Sequence, residues 1–177
     1  MKRSEINRNR GAAMTWARRM MFLVALMFWQ GGMMFYGGVT VPVTRKHLSA
    51  KEDEPKRSQI TQRVTQWLNL AGTAALVAMA ADVFAASVPL RGARRWLWLS
   101  AVGMQVALVV QHRHLSQMMA EPGFYESDMR VFSRWHSLYL IISTLQWAAM
   151  MGLLGVSTAA WRKADCRDGS STTHVTP

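Results

Sequence analysis

The side chains best suited to chemistry are three histidines, His112, His114 and His136, and one acid inside an apolar run, Asp82. Neutral imidazole is a common ligand for transition metals and haem iron, so His112 paired with His136 across two segments could hold copper or haem. His112 and His114 stand two residues apart and do not share a helix face, so only one of them can join His136. No second H-x-x-H or C-x-x-C accompanies them. Histidines beside a polar headgroup layer are the plainer explanation of the same residues.

Asp82 interrupts the otherwise uncharged run Val64 to Leu90. A carboxylate in such a setting must be paired, hydrated or protonated. Arg91, Arg94 and Arg95 in the following turn are the nearest cations, and pairing with them is the plain reading. A proton or cation site of a proton-coupled transporter is the alternative, although the second acid that a relay would need is missing. No nucleophile elbow, Walker loop, HExxH or dinucleotide fingerprint is present, so the enzyme reading lacks a constellation. The single cysteine, Cys166, has no partner in the chain and argues against a disulfide framework.

Uncharged polar residues carry a second pattern. Gln62, Gln66, Asn69 and Thr73 recur at i, i+4, i+7 and i+11, and His136, Tyr139, Ser143 and Gln146 at i, i+3, i+7 and i+10. Each set is one helical stripe. Gln105 and His112 are seven apart on a third segment, and Gln30 sits near the middle of a fourth. In hydrocarbon such stripes turn toward other helices or a wet cavity. They predict either interhelical hydrogen bonding or a polar cavity in the outer half of a bundle, bordered by Gln30, Tyr36, Gln66, Asn69, Gln105, His136, Tyr139, Ser143 and Gln146.

The elements that must position these residues follow from charge spacing. The chain has 177 residues, half of them hydrophobic, with 21 Lys and Arg against 10 Asp and Glu, a net charge of +11. The charges lie between long apolar runs. Met20 to Thr44 offers 25 uncharged residues, enough to cross a hydrocarbon core of about 30 Å. Val64 to Leu90 and Trp135 to Trp161 are comparable. Trp96 to Gln111 is short at 16 residues, and flanking arginines that snorkel would extend it. The expectation is therefore an all-α bundle of four transmembrane helices, at about 20–44, 64–90, 95–114 and 135–161. Three spans with a surface segment is the alternative.

The first run is too long for a secretory apolar region and lacks a cleavage site, so it is expected to be retained. With four spans, twelve Lys and Arg residues fall on the side of the termini and nine on the other, which places both termini on the cytoplasmic side. Residues 1–19 then form a basic cytoplasmic tail held by anionic lipid, and no nucleic-acid motif accompanies its charge. Pro55 marks a break, Ser58 a cap for the second helix, Glu121 to Gly123 a turn and Ser127 a cap for the fourth. Residues 164–177 read as a disordered polar tail. Trp16, Trp67, Trp96, Trp135 and Trp161 lie near span ends, where indoles favour the headgroup layer.

The stretch WQGGMMFYGGVTVPV, Trp29 to Val43, reads as packing chemistry. Gly31 and Gly38 are seven apart and share a face that would let another helix approach closely. Met33 and Met34 diverge by about 100°, so they do not converge on copper. Pro42 falls near the outer end, where freed backbone groups can meet water.

The first span with FWQGGMMFYGGVTVPV, the second opening TQRVTQWLNLAG and the fourth carrying FSRWHSLYLIISTLQW together resemble the family of small four-helix membrane proteins typified by transmembrane protein 205. The features that carry the likeness fall on Gly37, Val41, Pro42, Phe132, His136 and, with shifted spacing, Ser137, over about Phe22 to Trp161. The resemblance implies a four-helix membrane fold and supplies no activity. A more distant likeness to copper-resistance D-type bundles is the source of the haem or copper alternative. The expected partners are the lipid bilayer and, as an open alternative, a second copy of the chain; in a bacterium the membrane would be the inner one.

Overall fold

The computed structural model describes residues 2–47, 54–85, 89–120 and 129–170, and every regular element among them is helical. Helix α1 (Lys2–Phe35) continues through a π-helical turn (Tyr36–Thr40) into α2 (Val41–His47); α3 spans Glu54–Val83, α4 Arg91–Ala120 and α5 Met129–Ser170. The segments Arg10–Thr44, Gln59–Val83 and Arg130–Arg167, with mean hydropathies of 1.4, 1.3 and 1.6, are long and apolar enough to cross a membrane.

Helix α4 is long enough too, about 45 Å for its 30 residues, but Arg91, Arg94 and Arg95 at one end and His112 and Arg113 at the other dilute its apolar content. It packs against both α3 and α5. Its buried positions Arg94, Ala101, Gln105, Leu108, Gln111 and Leu115 fall at intervals of three, four or seven residues along one face. Contacts fix the helix directions. Gln62 of α3 donates to Met119 of α4 at one end of that pair, and Trp98 Nε1 donates to the Leu76 carbonyl near the other, so α3 and α4 are antiparallel. The same logic applied to Arg18 with Asp82 and Trp29 with Gly72, and to Arg94 with Ser157 and Gln111 with Trp135, makes all successive long helices antiparallel.

Several expected boundaries move. Pro55 lies in the first turn of α3, where its missing N–H costs nothing, and Ser58 is inside the helix rather than its cap. The second helix ends at Val83 instead of near Leu90; Leu90 takes a left-handed φ of 59° just before α4, which ends any helical path through it. The polar tail expected to be disordered from Ala164 is helical as far as Ser170, with Asp165 held by both Nη atoms of Arg19 at 3.0 and 2.9 Å. Residues 48–53, the turn at 121–123 and Ser127 lie outside the described residues, as do residues 171–177.

Pro42 does not end its helix. It has no N–H for the Gly38 carbonyl, and its ring crowds that oxygen. The backbone widens instead: the Val41 N–H reaches back five residues to the Tyr36 carbonyl, and the helix continues to His47.

Packing also departs from expectation at the glycines. Gly31 and Gly38 are not close-approach points among the described residues: a Cβ at either position would have nothing within 4 Å. The close approach is at Gly72 of α3, where a Cβ would come within 2.6 Å of the buried Trp29 indole of α1. Trp29 belongs to the main core with Phe22, Leu26, Met79, Met150 and Leu153, so its bulk selects the glycine opposite. Gly72→Val is expected to cost about 1–3 kcal/mol by overpacking, read as a lower melting temperature in detergent, whereas Gly31→Ala should leave it unchanged.

Candidate functional site

The buried charges of the bundle gather at one end. Asp82, at the close of α3, and Arg94, one turn into α4, are both 0 % exposed. An Arg94 Nη2 hydrogen bond joins their side chains, and the same nitrogen reaches the Asp82 carbonyl at 3.1 Å. Arg18 of α1 donates its Nε to Asp82 Oδ1 at 2.9 Å, and Trp161 of α5 donates its indole N–H to Oδ2 at 3.1 Å. Arg94 Nε is taken up by the buried Ser157 hydroxyl of α5 at 3.1 Å. Arg19 lies over the Trp161 ring, 5.6 Å from its centroid, and Phe22 meets that ring edge-on at 5.5 Å. One carboxylate thus binds all four long helices.

This sharpens the reading of Asp82 and corrects that of Trp161. Of the three arginines in the neighbouring turn, Arg94 is the partner, while Arg95 packs over the Phe84 ring instead. Arg18 could not be anticipated, because 64 residues separate it from Asp82. Trp161 is buried with its N–H committed to the carboxylate, unlike Trp16, Trp67, Trp96 and Trp135, which are exposed.

The uncharged polar residues form a seam farther along the bundle, toward the end remote from the termini. Gln105 Nε2 donates to the Asn69 carbonyl at 2.9 Å, and Gln146 Nε2 donates both to Gln105 Oε1 at 2.9 Å and to the Ala101 carbonyl at 3.1 Å. The Tyr139 hydroxyl donates to Asn69 Oδ1 at 3.3 Å. Thr73 returns its hydroxyl to the Asn69 carbonyl within α3. Four of the expected residues, Asn69, Gln105, Tyr139 and Gln146, therefore meet in one network across α3, α4 and α5. Gln111, absent from the expected set, joins α4 to α5 by donating to the Trp135 carbonyl at 2.7 Å.

Three more of the expected residues border two clefts beside the seam, whereas Tyr36 and His136 border neither. Gln30 and Ser143 border one of about 230 Å³ between α1 and α5, with Met33, Met34 and Trp147. Gln66 borders a larger one of about 630 Å³ between α3 and α4, with Asn69, Thr73, His112, Arg113 and Ser116. Two donors on this seam and at the π-helical turn lack partners among the described residues: Asn69 Nδ2 and the Tyr36 hydroxyl, both buried. Buried polar atoms without partners are uncommon in folded proteins.

The histidines do not converge. His112 faces the α3 cleft, whereas His136 is exposed and stacks on Phe132 of its own helix at 5.8 Å. His114 meets Trp135 edge-on at 5.0 Å. No hydrogen bond or ring contact joins His112 to His136, and no group of three or more His, Cys, Asp or Glu side chains among the described residues is placed to hold a metal ion. No protein-family model, curated protein or solved structure matches the chain.

Removing one partner of a buried ion pair leaves the other charge uncompensated and costs about 3–5 kcal/mol. Asp82→Asn should therefore lower the detergent melting temperature sharply. The paired replacement Asp82→Leu with Arg94→Met should recover part of the loss, since it buries neither of those two charges, while Arg18 and the Trp161 N–H still lose their acceptor.

Proposed function

We propose that the protein is a four-span integral membrane protein with both termini on the cytoplasmic side, and that its role is to bind a ligand in the polar outer half of the bundle rather than to catalyse a reaction. The observation that carries this reading is the α3–α4 cleft. It places Gln66, His112, Arg113 and Ser116 around about 630 Å³ of space, over a floor that includes the half-satisfied Asn69. Binding sites are characteristically concave, with a few converging polar groups on apolar walls.

The four-span count is favoured by the antiparallel seating of α4 between α3 and α5. Its charged residues cluster near its ends, while its middle, Trp96 to Gln111, is free of charge. The resemblance to the transmembrane protein 205 family points the same way.

Asp82 is less suited to proton coupling than to structure. Two arginines and an indole N–H already occupy both of its oxygens. Those contacts hold helices together.

Thiol labelling in sealed vesicles tests the topology on which the reading depends. In a Cys166→Ser background, Gly11→Cys should react with a membrane-impermeant maleimide from the cytoplasmic side and Ser116→Cys from the opposite side; native Cys166, tested alone, should follow Gly11→Cys. Labelling of Gly11→Cys and Cys166 from opposite sides would point to three spans and remove the proposed outer cleft.

A further inference from the structure

The α3–α4 cleft has a graded chemistry, and the gradient identifies its ligand. Arg113 stands exposed at its outer end and makes no ion pair with a described acid. His112 and Ser116 lie beside it on the same wall. Farther in, beside Gln105, Asn69 is only 9 % exposed and keeps Nδ2 without a partner, while its side-chain oxygen is engaged by Tyr139. Leu70 and Val109 give that depth an apolar wall, and Leu70 is largely exposed toward the flank of the bundle.

Resting on the cleft as a binding site, we propose that its ligand is an anionic glycerophospholipid. The phosphate meets the Arg113 guanidinium, with the Ser116 hydroxyl as a second donor. An ester carbonyl, which lies below the phosphate in such a lipid, accepts from Asn69 Nδ2. The upper part of one acyl chain runs along Leu70 and Val109.

Both walls are graded: Asn69 is three residues inward of Gln66 on α3, and Val109 four residues inward of Arg113 on α4, about 4.5 and 6 Å at 1.5 Å per residue. A soluble anion would leave the apolar wall and Asn69 unused, and a neutral amphiphile would leave Arg113 unused. Basic pockets between membrane helices are established sites for anionic lipid headgroups, and a charge-assisted bond to phosphate is among the stronger hydrogen bonds available.

The experiment is lipid retention by the full chain in a neutral detergent, followed by native mass spectrometry and thermal unfolding. Phosphatidylglycerol, phosphatidylcholine and inorganic phosphate are the probes. Phosphatidylglycerol should be retained and stabilise the protein, phosphatidylcholine much less so. Arg113→Gln, an exposed change that leaves the fold intact, should weaken phosphatidylglycerol retention about tenfold, equivalent to about 1.4 kcal/mol, with no effect on phosphatidylcholine.

Equal retention of both lipids, unaffected by Arg113→Gln but abolished by the cleft-filling Leu70→Trp, would overturn the anionic assignment while leaving the cleft as an amphiphile site. Displacement of phosphatidylglycerol by excess inorganic phosphate would assign the site to a free anion instead. Retention of neither lipid, or retention unchanged by Leu70→Trp, would overturn both the ligand and the cleft.

Discussion

A single carboxylate with no exposure to solvent is the constraint around which this bundle is built. Asp82 closes α3, and its two oxygens and its carbonyl are taken by Arg18 from α1, Arg94 from α4 and Trp161 from α5. Buried charge is unfavourable unless it is paired and fully hydrogen-bonded. The only geometry that supplies three donors at once is the one in which all four long helices converge at that end. The registry of each helix against its neighbours follows, including the bidentate Arg19–Asp165 pair that extends α5 beyond Trp161.

From that anchored end the helices can diverge, and the bundle changes character along its length. Apolar packing between Phe22, Met79, Met150 and Leu153 comes first, then the amide network of Asn69, Gln105 and Gln146. In lipid, where apolar contact between helices gains little over contact with acyl chains, such hydrogen bonds and close glycine contacts carry association. Farther out, α3 and α4 separate enough to leave the larger cleft.

The long helices were legible because charge is excluded from apolar runs by the same physics that inserts them, and the seam because polar side chains at helical spacing must share a face. Asn69, Gln105, Tyr139 and Gln146 are the result. His136 belongs to the same stripe by spacing yet is exposed against Phe132: near a helix end a polar ring can face outward. What periodicity could not supply was the match between distant faces. Arg18 and Asp82 are 64 residues apart, and nothing local marks Arg18 above its neighbour Arg19. Likewise Gly31 and Gly38 looked like the packing pair, but the helix approach is set by the Trp29 side chain, which requires the missing Cβ of Gly72.

The central claim is that Asp82 holds α1 against α5, and thiol cross-linking in native membranes tests it most directly. With Cys166→Ser to remove the native thiol, Arg19→Cys and Asp165→Cys place two thiols where the structure has an ion pair, leaving the Asp82 contacts intact; because the long Arg19 side chain spans the gap, a short bismaleimide rather than a disulfide is the probe. The cross-link should form readily when Asp82 is present and fall steeply when Asp82→Asn is added. Equal cross-linking in both backgrounds, or none with Asp82 in place, would contradict the account.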